Sequence, residues 1–398
     1  MDQAGRLHAF DNLRALMMWL GILLHVALNH TTGDSPLPWR DAQTSELADL
    51  ILLFIHAFRM PVFFILAGFF VALLVARRGN KGMLAHRMRR LALPFVIFWP
   101  ILIVCTTVLM LVYVHKMAHG SAGIDITLLA RKTPKASPFN TMHMWFLYYL
   151  IWFSLLTALL APVWSRLPGG VHDGVDKVFR ALASSWWGPL LLALPLAAIG
   201  SSYRAGMLAS SGSFIPQLPE ILHNGLFFIA GLLAYRHQEL LFPYFSRHCW
   251  KYAIAGLVIF VLALDALESF LTDGAAVRHI ELRIAFLYNL SSWLWSFALL
   301  GLALRYLPRQ NRVLRYVSDS SYWVFLVHML GTIGFGILVY SLPLGAGPKM
   351  LMNIAATTAV CLLSYQLLVR HSVIGVLLNG RRQEQASAVR LPDAGVRQ

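Results

Sequence analysis

"FDNLRALMMWLGILLHVALNH", residues 10–30, is the stretch on which the reading of this chain turns. Most of it is Leu, Met, Trp, Ile, Val and Ala, the composition of a helix that crosses a bilayer. Yet Arg14 stands near its start and His25 lies well inside it. Both side chains are costly in hydrocarbon, and an ionisable group within a span is by default a functional candidate. On a helix the step from Arg14 to His25 rises about 16 Å. Eleven rotations of about 100° return close to the starting direction, so the two residues face one side at two depths.

The rest of the chain agrees with a membrane reading. Of its 398 residues 58% are hydrophobic and 13% charged, and the mean hydropathy is +0.63. A soluble domain carries roughly a quarter charged residues. The formal net charge of +15 would suggest nucleic-acid binding in a soluble protein, but Lys and Arg gather here between apolar segments. The expected surroundings are a lipid bilayer, with no nucleic-acid partner. Cys105, Cys249 and Cys361 are isolated, without a CxxC or an even framework, so neither disulfides nor a metal site is expected. Asp2 and Asp11 sit where a signal peptide would be basic, and no small-residue cleavage site follows. The first apolar run therefore reads as a retained span.

A span needs about 20 mostly apolar residues. Ten segments qualify: 13–30, 47–76, 91–114, 143–161, 185–200, 217–235, 251–271, 284–304, 319–342 and 349–371. Pro61 is expected to kink the second, and the fifth is short and carries Pro189 and Pro195. The expected fold is all-α, a polytopic membrane helix bundle of about ten transmembrane helices. Most Lys and Arg fall in alternate loops. By the positive-inside rule this puts both termini in the cytoplasm. Residues 1–375 form the expected membrane domain, and 376–398 a polar, disordered cytoplasmic tail.

Further polar groups lie within the apolar runs. "FIHAFRMPVFFILAGFF" sets His56 and Arg59 three apart on one face. "HMWFLYYLIWF" opens with His143 and Trp145, "PEILHNG" holds Glu220 and His223, and "SYWVFLVHM" places His328 midway along the ninth span. Each has a bland reading. Arg14 can snorkel to the interface, and a lone histidine can simply bond a neighbouring helix. His143 and Trp145 also suit an interfacial aromatic belt. Several such groups on different helices suggest instead a shared polar interior. Arg87 and Arg90, in "RRGNKGMLAHRMRRLALP", share a face at the mouth of the third span. Topology and lipid headgroups explain them as well as a phosphate-rich ligand does, which Arg grips through its planar fork. Walker A, GxGxxG, HExxH and EF-hand patterns are absent.

In combination, Arg14-x10-His25, Arg87-x-x-Arg90, "HMWFL" at 143–147 and "SYWVFLVH" at 321–328 resemble the integral-membrane acyltransferase-3 family. "FDNLRALMMWLGILLHVAL" and "FIHAFRMPVFFILAGFF" are similar to one branch, the glucan biosynthesis protein C group. That group succinylates osmoregulated periplasmic glucans. The resemblance implies acyl transfer from cytoplasmic acyl-CoA, here succinyl-CoA, to a glucan hydroxyl outside. No permanently bound cofactor and no metal is expected. It implies His25 as the catalytic residue, acting as base or as nucleophile. Arg14, Arg87 and Arg90 would handle acyl-CoA. His56, Arg59, His143 and Trp145 are the expected substrate-binding residues, Arg59 being the cation for a succinyl carboxylate. Arg59 has structural alternatives: capping carbonyls freed by Pro61, or pairing with Glu220 or Asp11. His328 falls where relatives vary, so the resemblance gives it no role. Asp11 can pair with Arg14, but about 21 Å of helical rise separates it from His25. The group that orients His25 is therefore not identified by sequence. The competing classes are an acetyltransferase acting on another envelope polysaccharide and a proton-coupled carrier or flippase.

Overall fold

The computed structural model describes residues 3–33, 37–128, 139–273 and 279–379, and these are all-helical. The polar tail from Gly380 onward lies outside the described residues. The helices are α1 (Gln3–Leu28), α2 (Glu46–Arg87), α3 (Leu93–His119), α4 (Trp145–Arg166), α5 (Gly169–Ala183) and α6 (Gly188–Gly200). They continue with α7 (Leu218–Arg236), α8 (Gln238–Asp273), α9 (Ile280–Tyr306), α10 (Arg312–Val339), α11 (Ala346–Ser364) and α12 (Val373–Asn379).

All ten apolar segments fall on helices. Among the described residues, eight helical stretches are long and apolar enough to cross a membrane, or nine with one bent pair. One of the eight, Glu46–His119, runs for 74 residues and contains both the second and the third segment. Its break is at Gly79, with φ 66° and ψ 174°, a conformation closed to most side chains. Helical angles continue through Pro61, where the kink was expected. The bent pair is α5 and α6, which meet at 105°. The 13 residues of α6 rise about 20 Å, short of the roughly 30 Å hydrocarbon core.

Interior and lipid-facing surfaces separate by side-chain type. Val96, Ile101, Val104 and Val108 on α3 are exposed, as suits a helix whose surroundings are lipid. α1, α9 and α10 are the most enclosed helices. Where α2 crosses α7, Gly68 faces the Phe228 carbonyl and Gly231 faces the Ile65 carbonyl. A Cβ at either glycine would collide with backbone, so this pair sets how closely the helices approach. α2 packs in addition against α1, α4 and α9.

The loop between α1 and α2 is pinned by a buried ion pair. Lys349 Nζ, at the start of α11, lies 2.9 Å from Asp41 Oδ1 and 2.7 Å from the Tyr340 carbonyl. Trp39 Nε1 donates to Asn29 Oδ1 at 3.1 Å. Asn29 follows His25 by one helical turn, so these contacts fix the end of α1 that carries His25.

Candidate active site

Three histidines from three parts of the chain converge. His25 on α1 and His328 on α10 have ring centroids 5.1 Å apart. His143 and His328 are 5.4 Å apart, their rings at 85°. His143 precedes α4 in a tight 3-10 turn, Met142–Met144. Met142 has φ 48°, a left-handed value that strains a non-glycine residue. The turn is held by Thr141, whose N and Oγ1 both donate to the Gly212 carbonyl, at 2.7 and 2.9 Å. His143 is thus an interior residue packed against His328 and Phe325, and not a member of an interfacial belt.

Hydrogen bonds assign two of the three tautomers. A carbonyl only accepts, so His143 Nε2–H donates to the Leu326 carbonyl at 3.1 Å. Its Nδ1 then bears the lone pair, and that atom is buried without a partner. His328 Nδ1–H donates to the Val324 and Phe325 carbonyls of its own helix, at 3.0 and 2.9 Å. Its Nε2 lone pair is likewise buried without a partner. His25 Nδ1 is also buried without a partner, and no hydrogen bond assigns its tautomer.

Arg59 sits beside this cluster, only 7% exposed. Its Nε donates to the Met17 carbonyl on α1 at 2.9 Å, and its guanidinium lies over the Phe63 ring. Among the described residues no carboxylate pairs with it. The two carboxylates offered as its partners are engaged elsewhere: Glu220 accepts from Ser210 and Ser211, and Asp11 pairs with Arg14 at 3.2 Å. An unpaired cation inside a membrane bundle is costly, and it leaves an anion-binding position. Gly21 makes room for it: a Cβ there would lie 2.6 Å from Arg59 Nη2 and 3.4 Å from His328 Nε2.

A cavity opens on the α9 side of α2, its lining including His56, Trp145, Ser210, His223, Tyr288 and Asn289 beside apolar side chains. Tyr288 Oη donates its one proton to the Leu53 carbonyl at 3.0 Å, so His56 Nδ1–H donates to Tyr288 Oη at 3.3 Å. Asn289 Nδ2 donates to the Ala285 carbonyl, which leaves its Oδ1 to accept from His223 Nε2–H at 2.8 Å. Sequence reasoning named His56 and Trp145 but missed Tyr288 and Asn289, polar groups in an apolar helix that carry no charge to mark them.

The basic residues meet at the other end of α1. Arg14 lies against Phe70, within electrostatic reach of Arg87. Arg87 Nη2 makes one long contact, 3.4 Å, to the Ala67 carbonyl, and its Nε is buried without a partner. Arg90 differs. Its Nη1 donates to the Val376 and Leu377 carbonyls at 3.2 and 2.9 Å, near the end of α12 where helix carbonyls lack internal partners. Arg87 precedes and Arg90 lies within a π-helical stretch, Met88–Ala92, where the Arg90 carbonyl accepts from Tyr322 Oη at 2.9 Å. The site therefore has two ends: a basic end around Arg14 and Arg87, and an imidazole cluster with Arg59 farther along the same helices.

A family model described as an acyltransferase domain, acyltransferase-3, matches residues 7–368. The chain belongs to the acyltransferase-3 family. Glucans biosynthesis protein C of Escherichia coli K12 is 24% identical over 401 residues, covering 95% of each chain. The proteins of the same name from E. coli O139:H28 and O9:H4 align with the same identity and coverage. No solved structure matches the chain. As a member of the family the protein is an acyltransferase, and its many apolar helices make it a multi-pass protein of the bacterial inner membrane.

Proposed function

We propose that this family member transfers a succinyl group from cytoplasmic succinyl-CoA to a hydroxyl of a periplasmic glucan. One observation carries the choice of acyl group: Arg59 is buried, cationic and without a carboxylate partner among the described residues. A succinyl donor brings the missing carboxylate, and an acetyl donor does not. The glucan acceptor rests on the name of the E. coli relatives.

The two ends of the site suit a donor that enters from one side of the membrane and an acceptor that arrives from the other. Arg87, with Arg14 nearby, takes the donor phosphates at the basic end, which the excess of Lys and Arg in alternate loops assigns to the cytoplasm. The pantetheine arm then runs between α1 and α2 toward His25. A sugar hydroxyl reaches His25 from outside, past the cavity of His56 and Trp145. An imidazole nitrogen takes the hydroxyl proton as the oxygen attacks the thioester carbon. The C–S bond breaks, the thiolate recovers that proton, and the ester and free CoA leave.

The experiment compares succinyl-CoA with acetyl-CoA on wild-type protein and Arg59→Gln. Losing a charge-assisted contact costs roughly 1.5–3 kcal/mol, about 10- to 150-fold, and this loss is expected with the succinyl donor alone. Equal losses with both donors would assign Arg59 to the thioester carbonyl that they share, and would remove the argument for succinyl.

A further inference from the structure

His25 Nδ1 and His328 Nε2 are both buried and both without a hydrogen-bond partner, although their rings lie 5.1 Å apart. Buried polar atoms in native proteins are nearly always paired. An N–H···N bond of about 3 Å between two imidazoles sets their centroids roughly 5 Å apart. The two rings are tilted at 45° and are not bonded in this arrangement, so the bond requires the His25 ring to turn toward His328 Nε2 while His328 keeps its own contacts.

The direction of that bond follows from the surrounding contacts. His328 spends its Nδ1 proton on the Val324 and Phe325 carbonyls, so its Nε2 can only accept. His143 cannot be the donor. Its proton is on Nε2, bonded to the Leu326 carbonyl, and its Nδ1 is another acceptor. Arg59 Nη2 lies near the same space, beside the position of a Gly21 Cβ, but its guanidinium is held through Nε by the Met17 carbonyl, whereas His25 Nδ1 is itself buried and unpartnered. His25 is left as the partner.

We infer that His328 is the positioning residue of His25: it accepts from His25 Nδ1–H and holds the His25 Nε2 lone pair for the acceptor hydroxyl. The chain runs from the Val324 and Phe325 carbonyls through His328 to His25 and ends at the substrate. Which ring nitrogen of a catalytic histidine carries the proton is set by the bond its other nitrogen makes. As His25 Nε2 takes the hydroxyl proton, the same Nδ1–H···Nε2 bond stabilises the imidazolium. His328 keeps its own proton throughout. The proposal rests on the reading of His25 as the base, but the tautomer can be measured without turnover.

The test is 15N NMR of the full-length protein in lipid bilayers with 15N-labelled histidine. The His25 signals are assigned by their loss in His25→Asn. Wild-type His25 is expected protonated at Nδ1 and bare at Nε2. In His328→Leu the proton should redistribute between the two nitrogens. With a working transfer assay, kcat should fall roughly 10- to 100-fold, the range for an outer hydrogen-bond partner, at unchanged KM for the donor. His328→Gln offers an amide oxygen to His25 Nδ1–H and should recover part of that loss. Wild-type His25 protonated at Nε2 would overturn the proposal, as would a tautomer unchanged by His328→Leu. The tautomer comes from the protein's own nuclei, so an error in donor or acceptor identity would appear in the transfer assay alone.

Discussion

Gly21 and Arg59 compete for one volume: a Cβ on Gly21 would lie 2.6 Å from Arg59 Nη2 and 3.3 Å from its Cζ. The obstacle is the far end of a flexible side chain and not backbone, so it can yield. Gly→Ala inside a helix also lowers the backbone entropy cost, by up to about 1 kcal/mol. Gly21→Ala should therefore keep or raise the unfolding temperature while displacing the guanidinium from the imidazole cluster. Succinyl transfer should drop at least about 10-fold, the equivalent of one charge-assisted contact. Thermal unfolding in detergent, run beside the transfer assay, checks both halves. Wild-type turnover by folded Gly21→Ala would mean that Arg59 need not hold its observed position.

The two arginines of the Arg87-x-x-Arg90 pair should behave differently. Arg90 is committed to the carbonyls of Val376 and Leu377, whereas Arg87 has a buried Nε with no partner. Arg87→Ala should raise KM for the CoA donor about 10-fold or more with little change in stability. Arg90→Ala should loosen α12, seen as faster proteolysis near Val373–Asn379, with a smaller effect on donor KM. Equal increases in donor KM would put both guanidinium groups on the donor.

Lys349 and Asp41 form the buried ion pair that anchors the loop after α1, with 1% and 0% of their side chains exposed. Removing one partner strands the other charge, which typically costs 3–5 kcal/mol. Lys349→Met should therefore lower the unfolding temperature sharply. Lys349→Met with Asp41→Leu should recover most of the loss, because no isolated charge remains. If the double variant is no more stable than the single one, the pair does more than neutralise itself.

How far each feature could be read from sequence depended on its range. Apolar runs of about 20 residues are local, and all ten fall on helices. The turn between the second and third spans was harder. Pro61 attracts attention as a helix breaker, yet neighbouring helices shelter it, and the left-handed break falls at Gly79. Arg14 and His25 stood out because charge is costly in a span. The partner of His25 did not, since His328 reaches it only through the packing of α10 on α1, three hundred residues later in the chain. For the same reason the sequence did not show that Arg90 Nη1 bonds α12, 286 and 287 residues away. Arg59 is a mixed case. Its position as a charge within the second span was legible, but its lack of a carboxylate partner was not, because Asp11 and Glu220 had first to be seen bonded elsewhere.

The proposed route of acyl transfer to a glucan runs through His25. The most direct measurement is the mass of glucan incubated with succinyl-CoA and membranes containing either wild-type protein or His25→Ala. Both proteins must first be shown to insert in equal amounts. Glucan carrying the added mass of succinyl groups is expected with wild-type protein, and at least roughly 10²-fold less with His25→Ala, the lower range for loss of a general base. Succinylated glucan formed equally by the two proteins would contradict it.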